Sequence, residues 1–283
     1  MKRNLFVLLV VLSLAVPALA QVNVLDGVYV KEHTISRQPM VYPYLREADV
    51  MWDKRIWRVI DINEKMNLPF KYPLSSYPVR DRKNLADVLF DALKEGQLTA
   101  YNFIDDEFTL PVTYKEIEVQ GGARNDTTRL QRPEPPYDEY DTVIARPFNR
   151  DDIFGYRVKE EWFFDKQRSV MDVRIIGIAP LTYARDEQGQ IRESHDVKTL
   201  CWFYYPECRT LFAQKEVFNR ENDAERRTFE DVFQKRFFNS YIMKESNVYD
   251  RKIADYKTGV AAIVESDKIK TEITNMEHDM WEY

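Results

Sequence analysis

The chain has 283 residues, with 41 Lys plus Arg against 47 Asp plus Glu, three His and two Cys. At roughly 100–200 residues per domain, that length holds one large domain or two small ones. The formal charge of −6 argues against a general affinity for nucleic-acid phosphates, and the His and Cys counts argue against a His/Cys metal cage.

The first twenty residues differ in character from the rest. Lys2 and Arg3 precede an apolar run at 5–16, and Ala18-Leu19-Ala20 puts small residues before Gln21. This pattern predicts a signal peptide over 1–20. The run is shorter than the ~20 residues of a membrane span. Because Gln21 rather than Cys follows the predicted cut, no lipid-attachment cysteine is expected there, and the product should be a soluble exported protein.

Residues 21–45 contain Pro39, Pro43 and the alternating Val28-Tyr29-Val30, and they read as an extended arm. Residues 47–66 place Trp52, Ile56, Val59 or Ile60, and Asn63 at three- and four-residue steps, predicting a helix stopped by Leu68-Pro69. A second helix is punctuated more clearly: Asn84 caps it, Leu85, Val88, Leu89, Ala92 and Leu93 form its apolar stripe, and Gly96 closes it. Residues 99–103 and 108–119 read as strands, the latter from the alternation of Tyr114, Glu116 and Glu118.

Between 120 and 152 turn formers accumulate, among them Gly121-Gly122, Pro133, Pro135-Pro136 and Pro147, and a long Pro-rich loop is expected. Residues 155–164, 169–183 and 198–205 are rich in β-branched and aromatic side chains and predict an antiparallel meander. Thr228 and Asp231 stand at capping-box spacing ahead of Phe229, Val232, Phe233, Phe237 and Tyr241. A longer helix is expected over 258–281. The sum is an α+β fold: one domain over 46–283, built as an antiparallel β meander with flanking helices, the long loop and the extended N-terminal arm.

The residues that could carry chemistry are few. Asp105-Asp106-Glu107 could serve a carboxylate-dependent hydrolase, or be a solvated turn. His33, His195 and His278 are far apart, and the chain has no Gly-x-Gly-x-x-Gly, phosphate-binding loop or His-Glu-x-x-His. Trp202-Phe203-Tyr204-Tyr205 could be the platform of a carbohydrate-binding module, or part of a core. Cys201 and Cys208 could bridge a tight hairpin turning at Pro206, or remain two thiols. A continuous strand would part them by about 23 Å, whereas a disulfide needs roughly 4.4–6.8 Å between α-carbons. No cofactor is implied. Apolar content in the arm and the end helix points instead to an exported interaction protein.

Several blocks carry a resemblance. Leu45-Arg46-Glu47-Ala48-Asp49-Val50-Met51-Trp52, Lys54-Arg55-Ile56-Trp57-Arg58-Val59-Ile60-Asp61 and Glu64-Lys65-Met66-Asn67 are similar to the GldN/PorN family of gliding-motility and type IX secretion proteins of Bacteroidota. So are Glu216-Val217-Phe218-Asn219-Arg220, Asn222-Asp223-Ala224-Glu225-Arg226, Phe237-Phe238-Asn239-Ser240-Tyr241-Ile242 and Lys244-Glu245-Ser246-Asn247. The resemblance implies a periplasmic, non-catalytic subunit, with no catalytic residues to carry over. It would assemble into a large ring with a GldK/PorK-like outer-membrane lipoprotein and meet a GldM/PorM-like motor protein anchored in the inner membrane. It also brings in an acceptor pattern for O-glycans on exported proteins of this phylum, matched at Asp126-Thr127-Thr128 and Asp141-Thr142-Val143, with Thr127 and Thr142 as the acceptors.

Overall fold

Period two, not three and four, governs residues 50–61. The computed structural model describes residues 36–281 except 78, 80–81, 105, 132–138, 187–189, 194–195 and 223. The predicted leader, most of the predicted arm, His33, His195 and Asp105 therefore lie outside the described residues. Where a helix was expected from 47, the chain forms a 12-residue strand, β1 (Val50–Asp61). The cause is burial on both faces. Trp52, Ile56 and Ile60 turn one way and Trp57 and Val59 the other, so apolar positions occur in both phases and imitate helical spacing. The β-branched and aromatic content of the segment favours the strand.

Leu68–Lys71 is a short helix, α1, and α2 (Leu85–Lys94) is the helix expected there, with the Asn84 side chain accepting from Asp87 N at 2.6 Å. Strand β2 (Ala100–Tyr101) falls where predicted. Residues 108–119 do not form one strand. They divide into β3 (Pro111–Val112) and helix α3 (Tyr114–Gln120), whose Thr113 N–H is received by Glu116 at 3.1 Å. Thr113-x-x-Glu116 is a capping-box spacing that the short alternation of charges concealed.

The expected loop at 120–152 also has structure: β4 (Arg124–Gln131) and β5 (Glu139–Arg146) pair in register as a two-stranded ribbon. Thr127 and Thr142 lie on it. Thr127 opposes Val143 and Thr142 opposes Thr128, so the two face opposite sides, Thr127 exposed and Thr142 half-buried.

The meander is present as β6 (Gly155–Asp165) and β7 (Val170–Tyr183), followed by β8 (Val197–Thr199) and β9 (Trp202–Tyr204). Residue 205 then begins a helix, α4 (Tyr205–Gln214), in which Pro206 occupies the first turn, where its missing N–H is harmless. The hairpin proposed for Cys201 and Cys208 is thus replaced by a strand-to-helix junction. Both cysteines are buried free thiols, Cys208 Sγ donating to Tyr204 O at 3.4 Å. Burial pushes both thiols well above their ordinary pKa.

Strands β10 (Glu216–Val217) and β11 (Arg227–Thr228) form a small pair of their own. Helix α5 (Phe229–Gln234) carries the predicted Thr228/Asp231 capping box but is shorter than its apolar pattern suggested, ending before Phe237. Then come β12 (Tyr241–Glu245) and the long terminal helix α6 (Val260–Trp281).

The main sheet runs β12-β1-β6-β7-β9-β2-β3, with β8 also on β7, and every pairing is antiparallel. One face carries the large core under α1, α2, α4 and α5. There Phe70, Tyr205, Phe212, Phe229, Phe233 and Phe238 interlock at centroid distances of 5.3–6.4 Å. Burying rings of this size, each ~1.5–3 kcal/mol, supplies much of the driving force for folding. A smaller core packs Ile56 and Ile242 against Ile269 and Ile273 of α6. The opposite sheet face holds Trp57, Ala179 and Trp202, partly covered by Phe108.

Candidate functional site

Trp202, Phe203 and Tyr205, at 2%, 0% and 1% exposure, belong to the core, and Tyr204, at 37%, is the one open ring of the four, too little for the aromatic platform considered from sequence. Asp106 is engaged as well: it accepts from Trp57 Nε1 at 2.5 Å and pairs with Lys159 Nζ at 3.3 Å. Among the described residues no three His, Cys, Asp or Glu side chains gather as a metal site.

A broader concavity lies elsewhere, a groove of about 560 Å³. Its construction begins with Asn67, which is fully buried where β1 gives way to α1. Asn67 Nδ2 donates to Asp61 O at 2.8 Å and to Asn239 O at 2.9 Å, while its Oδ1 receives Asn239 N at 2.9 Å. Asn239 Nδ2 reaches back to Glu64 Oε2 at 2.7 Å, and Arg220 Nη2 donates to Lys65 O at 3.2 Å. One side chain and its neighbours thus join segments around residues 64–67, 216–220 and 237–239, which are remote in sequence.

The walls follow from local rules. Helix α5 ends in a Schellman turn: Phe237 N bonds Val232 O at 2.9 Å, Arg236 N bonds Phe233 O at 3.2 Å, and Phe237 is returned beside Val232, both lining the groove. On the other wall Asn219, itself buried, donates to Glu225 O at 3.2 Å and receives Glu221 N at 3.2 Å, which holds Phe218 outward. Met66, Tyr72, Val79, Phe218 and Phe237 all remain 39–54% exposed in the lining. Apolar side chains left open side by side mark a contact surface.

The rim is basic. Lys65, Arg82, Arg220 and Arg227 border the groove against Glu221 alone. Arg82 lies over the Phe218 ring at 5.2 Å and Arg227 over Phe237 at 4.9 Å, so the cations also cap apolar rings. Arg227 is paired with Glu225 at 3.2 Å, and this hydrogen bond holds the Glu225 carboxyl below its usual range.

No local pattern in the sequence points to this groove, because its lining comes from separated stretches of the chain. The one signal available was that three of the blocks carrying the family resemblance (64–67, 216–220 and 237–242) meet at it. The predicted site residues Cys201, Cys208, Thr127 and Thr142 lie outside it.

Fold and groove together define an α+β domain with an open, apolar, basic-rimmed surface trough. Residues 45–282 match the family described as gliding motility associated protein GldN, and the chain belongs to that family. No curated protein matches it.

Proposed function

We propose that the chain is a non-enzymatic structural subunit of a periplasmic ring in the type IX secretion and gliding machinery. It self-associates, assembles on a GldK/PorK-like outer-membrane lipoprotein, and contacts a GldM/PorM-like motor protein anchored in the inner membrane. Membership of a gliding-motility family supports this reading. The observation that carries it is the groove, whose exposed Met66 and Phe218 are those of a contact surface rather than a reaction centre. Location in the periplasm rests on the signal-like start, and among the described residues no helix is long and apolar enough to cross a membrane.

Co-expression with the lipoprotein, followed by size-exclusion chromatography, tests the assembly. A megadalton complex containing both proteins is expected, and a monomer eluting apart from the lipoprotein would contradict the proposal. Met66→Asp with Phe218→Asp tests the groove: both positions are half-exposed, so the melting curve should stay near wild type while complex yield falls at least tenfold. An unchanged yield would remove the groove from the assembly.

A further inference from the structure

Two cores meet on the same face of the sheet, and the seam between them is charged. Along β1, Trp52 and Ile56 belong to the small core and Ile60 to the large one; along β6, Trp162 belongs to the small core and Tyr156 and Val158 to the large. Arg58 and Glu160 stand between, 6% and 0% exposed. Glu160 Oε2 receives Arg58 Nε at 3.0 Å, Trp162 Nε1 at 3.0 Å and Arg236 Nη2 at 3.2 Å, and the same Nη2 pairs with Oε1 at 2.9 Å. Both guanidiniums sit against the Trp162 ring, at 5.6 and 5.3 Å.

Two guanidiniums and one carboxylate leave an excess positive charge in the seam, Arg58 and Glu160 buried and Arg236 reaching solvent at 27% exposure. Donors are in surplus too. Arg58 reaches Glu160 through Nε, and Arg236 Nη1 is buried without a hydrogen-bond partner among the described residues. Burial depresses the basicity of Arg58, Glu160 restores part of it, and Arg236 lowers it again.

Beside these groups is a cavity of about 210 Å³, closed on its other side by α6, which contributes Lys270, Thr274 and Glu277. Lys270 and Glu277 offset one another, so the cavity keeps the net charge of the seam.

The backbone adds an independent sign. Arg236 is the left-handed residue after α5, at φ 55°, a position that Gly96 fills after α2 and Gly122 after α3. All three turns have the same hydrogen-bond pattern, so the turn itself would be better served by glycine. What arginine adds is the guanidinium.

We propose that the seam cavity binds a small oxyanion, a carboxylate or phosphate group, between the guanidiniums of Arg58 and Arg236 with Lys270 at its mouth, and that the bound anion ties α6 to the sheet. Guanidinium forks match both oxyanions bidentately, and the anion would neutralise the excess charge. Inorganic phosphate and malonate, titrated into the full chain by calorimetry at constant ionic strength with chloride as the balancing ion, test this. Saturable binding of one or both is expected, with a raised melting temperature, and whichever binds tighter identifies the phosphoryl or the carboxylate as the natural group. Lys270 lines the cavity yet is itself solvent-exposed, so Lys270→Gln should fold normally and bind about tenfold more weakly. Absence of saturable binding for both anions, or equal affinity in Lys270→Gln, would overturn the proposal.

Discussion

Replacing Arg236 by glycine sets two effects of opposite sign against each other. The left-handed backbone at φ 55° costs an L-residue about 1–2 kcal/mol, and glycine would recover roughly 0.5–1 of it after its own extra freedom in the unfolded chain is subtracted. Against this, Glu160 is fully buried and loses one of its two cationic partners. Breaking a buried pair outright costs ~3–5 kcal/mol. Here Arg58 and Trp162 remain, and the Arg236 side chain is 27% exposed, so about 2–3 kcal/mol is the better figure. Arg236→Gly should therefore destabilise the protein by about 1–2 kcal/mol. In a Glu160→Gln background the sign should reverse. No carboxylate then holds the guanidinium, and removing Arg236 relieves both backbone strain and cation repulsion, so glycine should stabilise by about 1 kcal/mol. Urea unfolding of the four proteins gives the coupling directly, expected at about 2–3 kcal/mol with unchanged m values. A coupling below ~0.5 kcal/mol would show that the seam ion pair does not determine why an arginine stands there.

The other predictions concern packing, thiols and acid. A Cβ on Gly177 would lie 2.5 Å from Phe108 Cζ and 3.2 Å from Trp202 Cε3, so Gly177→Ala should cost about 1–3 kcal/mol in urea unfolding; a neutral result would mean that Phe108 is free to move aside. Cys201 and Cys208 should resist alkylation in the native protein and take two labels in denaturant without reductant, read by mass; labelling only after reduction would show a bridge. Burial opposes ionisation of Asp91, but hydrogen bonds from Lys83 and Arg150 outweigh it and hold the carboxyl below its usual range. Asp151 is lowered in the same way by Ser75 and Ser76. With folded values below unfolded ones, their stabilisation is present above about pH 4 and lost as pH falls through the folded values. The melting temperature should drop below that pH, less steeply in Asp91→Asn, and equal slopes would refute the assignment.

Which elements were legible in the sequence follows from how local their causes are. Helix α2 was readable because cap, stripe and closing glycine all lie within residues 84–96, and the capping box of α5 because Thr228 and Asp231 are three residues apart. The length of α5 was not: Phe237 continues the apolar stripe, yet it is apolar because it packs beside Val232 after the Schellman turn. β1 reads as a helix in the sequence because only 50–55 alternate between half-buried and exposed, whereas 56–60 are buried on both faces and carry apolar residues in both phases. α4 hid behind Pro206, which marks a turn and a first helical turn equally well. The groove could not be foreseen by any local rule, since Asn67 meets Asn239 across 172 residues.

The sheet edges bear on how such a chain can assemble without aggregating. Strand β12 forms one edge, and its outward Ile242 N–H is received by the buried Ser266 Oγ of α6 at 2.9 Å, so the terminal helix covers the backbone there. At the opposite edge β3 is two residues long and begins with Pro111. Both are ways of refusing an added strand. The β4–β5 ribbon has outer edges too, but it carries the exposed charges Arg129, Asp141 and Arg146. With backbone pairing guarded at these places, side chains become the available means of contact. The groove offers them in a form that limits indiscriminate association, because its apolar floor lies inside a basic rim that favours a partner with acidic residues around its own apolar anchor. Phe218 would then supply affinity and Arg82 and Arg220 selectivity, so raising the salt concentration should slow association more than it speeds dissociation.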